Sequence, residues 1–146
     1  MSAAEIPIIR TSKLTSLTPD QVRDNWNVIA GLLEKATDRS CGRISLQDVQ
    51  QAIVESTGIV LIAWDPKIGE VYAAFFCEID EYKTGCKCWN IALCGGRDVE
   101  DWGHLWIVMK EVAKNHGCDQ IEISGRKGWG RVLGLKETAR LYIEDL

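Results

Sequence analysis

The chain has 146 residues, 46% of them hydrophobic, with 17 basic and 21 acidic side chains and a net charge of −4. That length and apolar content suit one domain, residues 1–146, with a core that needs no staple, and the acidic balance argues against general nucleic-acid binding apart from a small basic patch at Arg126, Lys127 and Arg131. No apolar run approaches the roughly 18–20 residues of a membrane span, and MSAAEIPIIR lacks the basic-then-apolar order of a leader, so a cytosolic protein is expected.

In chain order, IPIIRTSKL reads as a first, edge strand. Thr18-Pro19-Asp20-Gln21 opens a helix, with Thr18 as cap, Pro19 in the first turn and Gln21 completing a capping box. Val22, Trp26, Ile29 and Leu33 then share its buried face. A second helix starts at Ser45 with Asp48 three residues on, carries Leu46, Val49 and Ile53 inward, and is expected to stop at Gly58. Three β runs follow, IVLIAWD, EVYAAFFCEID and CKCWNIALC, joined by short turn-rich links, which is the pattern of an antiparallel meander. The middle run is apolar on both faces, so helices must cover the sheet on both sides.

After Gly95-Gly96 a helical period spans about Asp98 to His116, with Val99, Trp102, Trp106, Met109 and Ala113 in register and Gly117 as its stop. CDQIEIS reads as a strand, and strand–helix–strand at this spacing predicts a parallel pair joined by a right-handed crossover. GRKGWGRVLG then allows a short helix, and LKETARLYIEDL, residues 135–146, reads as a closing strand. The fold class is α/β (α+β): a mostly antiparallel mixed sheet with one parallel βαβ pair and helices on both faces. Six cysteines lack C-x-x-C spacing and read mostly as small reduced core residues.

This element order resembles that of the GNAT N-acetyltransferase superfamily over essentially the whole chain. Gly95-Gly96 after the fourth strand, Trp102 soon after, His116-Gly117-Cys118 before the fifth and GRKGW (Gly125 to Trp129) after it resemble small phage and prophage GNAT-like proteins. The resemblance implies an acetyl-CoA cleft between strands four and five, with Ala92 and Leu93 backbone along the pantetheine arm. It also implies a diphosphate-binding loop at Gly95, Gly96 and Arg97. The usual Gln or Arg followed by Gly-x-Gly or Gly-x-Ala is absent, and Asp98, Glu100 and Asp101 crowd the loop, where an anion meets like charge but a bare helix start is well capped.

In many such enzymes a Tyr four residues before a terminal Gly-Phe is the general acid. Gly134-Leu135 stands in for that pair here, and the fourth residue before Gly134 is Gly130, with no hydroxyl. Glu78, Asp80 and Glu122 are the carboxylates available as a base, or solvated strand ends. Arg126 and Trp129 form an anchor pair for a ligand or partner, unless Trp129 plugs the cleft. Cys86, Cys88, Cys94, His104 and His116 fall short of a closed zinc set, so no metal is expected. The acidic loop and missing hydroxyl favour a degenerate or weakly active acyltransferase relative acting as a virion or host-interaction component. It would meet phage structural proteins or a host protein in the host cytoplasm or the virion. The alternative, favoured by Gly95-Gly96 with Arg97, is an active acetyl-CoA-dependent N-acetyltransferase on an unknown amine. Oligomeric state is left open.

Overall fold

The structure, a computed structural model, describes residues 11–97, 102–124 and 127–146, and for residues 127–129 the backbone alone. The elements run β1 (Lys13–Ser16), α1 (Pro19–Asp24), α2 (Trp26–Asp38), α3 (Leu46–Val54), β2 (Ile59–Asp65), β3 (Glu70–Glu81), β4 (Lys87–Gly96), a 3-10 turn (Gly103–Leu105), α4 (Trp106–Asn115), β5 (Gln120–Ile123) and α5 (Lys127–Leu133). The sheet is ordered β1-β2-β3-β4-β5. The first three neighbouring pairs are antiparallel and β4–β5 is parallel.

Two hydrophobic layers clamp the sheet. Val22, Ile29, Leu33, Val49 and Ile53 of α1–α3 pack on Val60, Ile62, Ala74, Phe76 and Leu93. On the other face Trp102, Trp106, Met109 and Ala113 pack on Leu61, Phe75, Cys77, Trp89 and Ile91, with Phe75 and Trp102 edge to face at 5.4 Å between ring centroids. Each such fully buried large side chain contributes about 1.5–3 kcal/mol relative to exposure, so the middle strands hold the fold together. Both capping boxes form: Thr18 and Ser45 side chains accept from the Gln21 and Asp48 amides, and those side chains accept from the cap amides.

Several expectations are corrected. The first helix is two, because Asn25 leaves helical geometry (φ −113°, ψ 18°) while its side-chain amide donates to the Gln21 carbonyl at 2.8 Å, the local competition typical of Asn. The second helix ends at Val54 rather than at Gly58; Ser56 takes the left-handed conformation (φ 58°) and the Thr57 amide closes on the Ala52 carbonyl. Gly58 instead makes room, since a Cβ there would lie 2.5 Å from the Phe76 ring.

α4 begins at Trp106 after a 3-10 turn, and Trp102 before that turn is itself helical; the expected start at Asp98, with Val99 and the acids at 100 and 101, lies outside the described residues. Gly103 weakens the first turn, and the Trp102 indole N–H is committed to the Arg97 carbonyl at 2.9 Å. The closing strand at residues 135–146 does not form. Gly134 (φ 69°) ends α5 with the Leu135 amide on the Gly130 carbonyl, and Lys136–Arg140 offers too little apolar surface to draw the chain onto the sheet. The first strand is Lys13–Ser16, at the sheet edge as expected, while residues 6–10 of IPIIRTSKL lie outside the described residues.

Candidate functional site

β4 has two unlike edges. Toward β3 its ladder runs from Glu81↔Lys87 to Ala73↔Gly96. Phe76 faces Leu93 while Cys77 faces Ile91, so Ala92 is an extra residue, a β-bulge of the kind that bends a strand and ends pairing beside functional sites. Toward β5 the parallel ladder spans only Cys88↔Gln120 to Ile91↔Ile123. The last rung thus falls one residue before the bulge, and Ala92–Gly96 have no strand neighbour on that side among the described residues. Strongly polar backbone groups released in this way are available to an extended ligand. Ala92 is half-buried, and the Leu93 side chain is packed into the α1–α3 layer, so what Leu93 presents to the opening is its backbone.

The glycine pair does not form a loop. Gly95 and Gly96 are the last residues of β4, opposite Ala74 and Ala73. A Cβ on Gly95 would lie 1.7 Å from the Leu32 carbonyl oxygen, and one on Gly96 would lie 2.6 Å from the Ala73 Cβ and 2.7 Å from the Tyr72 carbonyl oxygen. Absence of a side chain at Gly95 is therefore required for α2 to lie close against the sheet, and at Gly96 for β4 to lie close to Tyr72 and Ala73 of β3, the close-backbone use of glycine in a strand.

Arg97 follows directly. Its amide donates to the Tyr72 carbonyl at 2.9 Å, and its guanidinium meets Glu70 at 2.5 Å, with both side chains about half exposed. The cation expected to greet an anion is thus already ion-paired. The His104 ring is 3.3 Å from the Ser12 hydroxyl, so β1 and the turn before α4 are tied together. The His116 ring nitrogen Nδ1 lies 2.9 Å from the Val112 carbonyl at the end of α4, and the ring packs on Trp89.

The three candidate carboxylates share one sheet face. Directly paired residues point the same way, so Glu78, Asn90 and Glu122 make one row across β3, β4 and β5, and Asp80, Cys88 and Gln120 make the next. The Glu78–Asn90–Glu122 row is one rung from the end of the β4–β5 ladder. Burial, and then the charge of Asp80, push the Glu78 carboxyl above its ordinary value, which makes its carboxylate a stronger base than a solvated one. Glu122 is exposed, with its carboxylate 3.8 Å from the Cys88 thiol. Burial pushes that thiol up to about 11 and Cys94 to about 12, so neither is a ready nucleophile. All six cysteines are free, with Cys77 and Cys88 buried and Cys41 exposed.

Trp89, Trp102 and Trp106 are buried together beneath this region. Arg126 and the Trp129 side chain lie outside the described residues. Among the described residues no three His, Cys, Asp or Glu side chains gather as a metal site, and no helix is long and apolar enough to cross a membrane. Sequence reasoning missed Asn90, Glu70 and the bulge. A lone Asn within CWNIALC was the available signal for the first; an extra residue in a ladder leaves no local signature.

No family model matches the sequence, and no curated protein matches it either. Solved structures do resemble it. An aminoglycoside acetyltransferase from an uncultured soil metagenomic sample superposes with a TM-score of 0.67 at 12% identity, covering 93% of this chain and 97% of that one. A glucosamine-6-phosphate N-acetyltransferase from Arabidopsis thaliana gives 0.62 at 13%, covering 92% and 98%. An acetyltransferase from Trypanosoma brucei gives 0.60 at 14%, covering 92% and 99%. The chain has the GNAT fold, with its mostly antiparallel sheet and one parallel pair.

Proposed function

We propose that the chain is an acyl-CoA-dependent N-acyltransferase in which Glu78 accepts the proton of an acceptor amine at the end of the β4–β5 ladder. The observation that carries this reading is the coincidence of two features: the bulge at Ala92 where β5 stops pairing, and a carboxylate of raised pKa one rung away. Bound acetyl-CoA would supply an activated acyl thioester. The freed backbone of Ala92–Cys94 would hold its amide-bearing arm, and Gly95, Gly96 and Arg97 would stand toward its diphosphate, with side chains excluded at both glycines by α2 and β3. Arg97 reaches a phosphate only by exchanging Glu70.

The acceptor arrives as an ammonium ion, attracted by Asp80 and Glu122, and must become an amine before it attacks. Glu78 takes that proton, Asn90 beside it orients the acceptor, and the acyl group passes from sulfur to nitrogen, giving an amide and a thiol. The leaving sulfur takes its proton from solvent or the substrate, since Gly130 offers no acid.

A second reading, a GNAT-fold virion or host-interaction component without catalysis, draws support from the Arg97–Glu70 pair and from Gly130. Calorimetry with acetyl-CoA, followed by thiol release with a panel of primary amines, separates the two. Micromolar binding with turnover that Glu78→Gln lowers about a hundredfold supports the transferase. Absence of heat at millimolar acetyl-CoA supports the second reading.

A further inference from the structure

β3 outruns one of its neighbours. Its pairing with β2 ends at Ile59↔Cys77, whereas its pairing with β4 continues through Glu78↔Asn90 to Glu81↔Lys87. Glu78–Glu81 therefore form a ledge held on one side only, and no strand among the described residues pairs with its β2 side. In an antiparallel ladder alternate residues turn both backbone groups to the same side, so two of these four direct an N–H and a C=O outward. A free edge of this kind is a template for another strand, and its side chains decide which strand it suits. Glu81 stands opposite Lys87, but Glu78 and Asp80 stand opposite Asn90 and Cys88, which carry no positive charge. The two carboxylates share a face, and the charge of Asp80 adds to burial in raising the Glu78 pKa, so the repulsion between them is unrelieved. On the opposite face Ile79 is 41% exposed, although its cross-strand partner Trp89 is fully buried.

We propose that this ledge docks an extended peptide in which basic and apolar residues alternate, added as a strand beside β3. Directly paired residues share a face, so a basic–apolar–basic triplet opposite Glu78, Ile79 and Asp80 sets two cations beside the two carboxylates and an apolar side chain against Ile79. Backbone pairing supplies the attachment and the alternation supplies the selectivity, the division of labour in strand addition. A second copy of the same edge does not fit. Antiparallel pairing of two ledges about a two-fold axis, in the register that covers Ile79 with Ile79, sets Glu78 against Asp80 twice, and like charges directly opposite are unfavourable. The ledge lies on the far side of β3 from the opening between β4 and β5, so docking is measured separately from acyl transfer.

The probe is a blocked six-residue peptide of alternating lysine and valine. Titrated into the intact chain at low salt, it is expected to shift the amides of Glu78–Glu81 and to leave β1 unmoved. Methylating every backbone nitrogen of the peptide removes strand pairing while keeping every charge, and is expected to weaken binding about tenfold. These two measurements use the unaltered chain and stand whether or not a variant folds. Asp80→Lys is expected to weaken the lysine peptide about tenfold and to admit a glutamate–valine counterpart in its place. No shift at millimolar peptide, equal binding of the methylated peptide, or a folded Asp80→Lys chain that keeps the wild-type preference overturns the proposal. Shifts at Glu78–Glu81 that grow with protein concentration in the absence of peptide assign the edge to a second copy and overturn it as well.

Discussion

The two edges of β4 are made from the same ten residues and do opposite work. Toward β3 the strand is paired along its whole length except at the Ala92 bulge, and at Gly95 it is pressed so closely by α2 that no side chain fits. Toward β5 it is paired for four residues and then released at the Ala92 bulge. The lesson is that one strand serves as a rigid beam by closing one edge and leaving the other open, and that the glycines belong to the beam. A site built on such an element holds its geometry better than one built on a loop.

The sharpest way to break this comparison is Gly95→Ala. A methyl group placed 1.7 Å from a backbone carbonyl forces α2 off the sheet, and denaturant unfolding is expected to register a loss on the order of 3 kcal/mol or more. If the glycine pair instead cradled phosphate, stability would hold and only ligand binding would fall.

Glu78→Gln probes the open edge. Turnover is expected to drop about a hundredfold, equivalent to about 2.7 kcal/mol, with the fold retained. Its pH dependence follows from the raised pKa. The folded chain holds the Glu78 proton more tightly than the unfolded chain, so stability falls as pH rises from the ordinary value of 4.5 through the raised one, while kcat/KM rises over the same interval. The Gln variant is expected to flatten both profiles, which unfolding and rate measurements across that range will register.

Much of this contrast was legible in the sequence. The capping boxes at Thr18 and Ser45, the meander, and the two-sided burial of β3 follow from local chemistry and period, and all are present. Glu78, Asp80 and Glu122 were identifiable as carboxylates, but their alignment in two rows depends on ladder register, which is set between strands. That Gly95 and Gly96 end β4 pressed against neighbouring backbone was not legible, because a glycine pair before a helix reads alike whether it turns the chain or admits a close neighbour; the positions of Leu32 and Ala73 are set by tertiary packing. The tail misled in the other direction, since its alternation at Arg140–Ile143 is strand-like while no edge of its own chain receives it.

Two smaller effects refine the picture. Glu70→Gln removes one partner of Arg97, and if the guanidinium then turns to a phosphate, calorimetry is expected to show acetyl-CoA binding tightened by up to about fivefold, the ceiling for an exposed ion pair. Gly31, mid-way along α2 with open space around it, is the control for Gly95: alanine there is expected to stabilise the fold by about 0.5–1 kcal/mol in the same unfolding assay.

The central claim, that the released edge of β4 receives an acyl thioester, is tested most directly by amide chemical shifts during titration with acetyl-CoA. Shifts concentrated at Ala92, Leu93 and Cys94 and at the end of β5, with the β3–β4 ladder unmoved, are the predicted result. An unchanged spectrum at millimolar acetyl-CoA, or shifts that leave Ala92–Cys94 untouched, would contradict it.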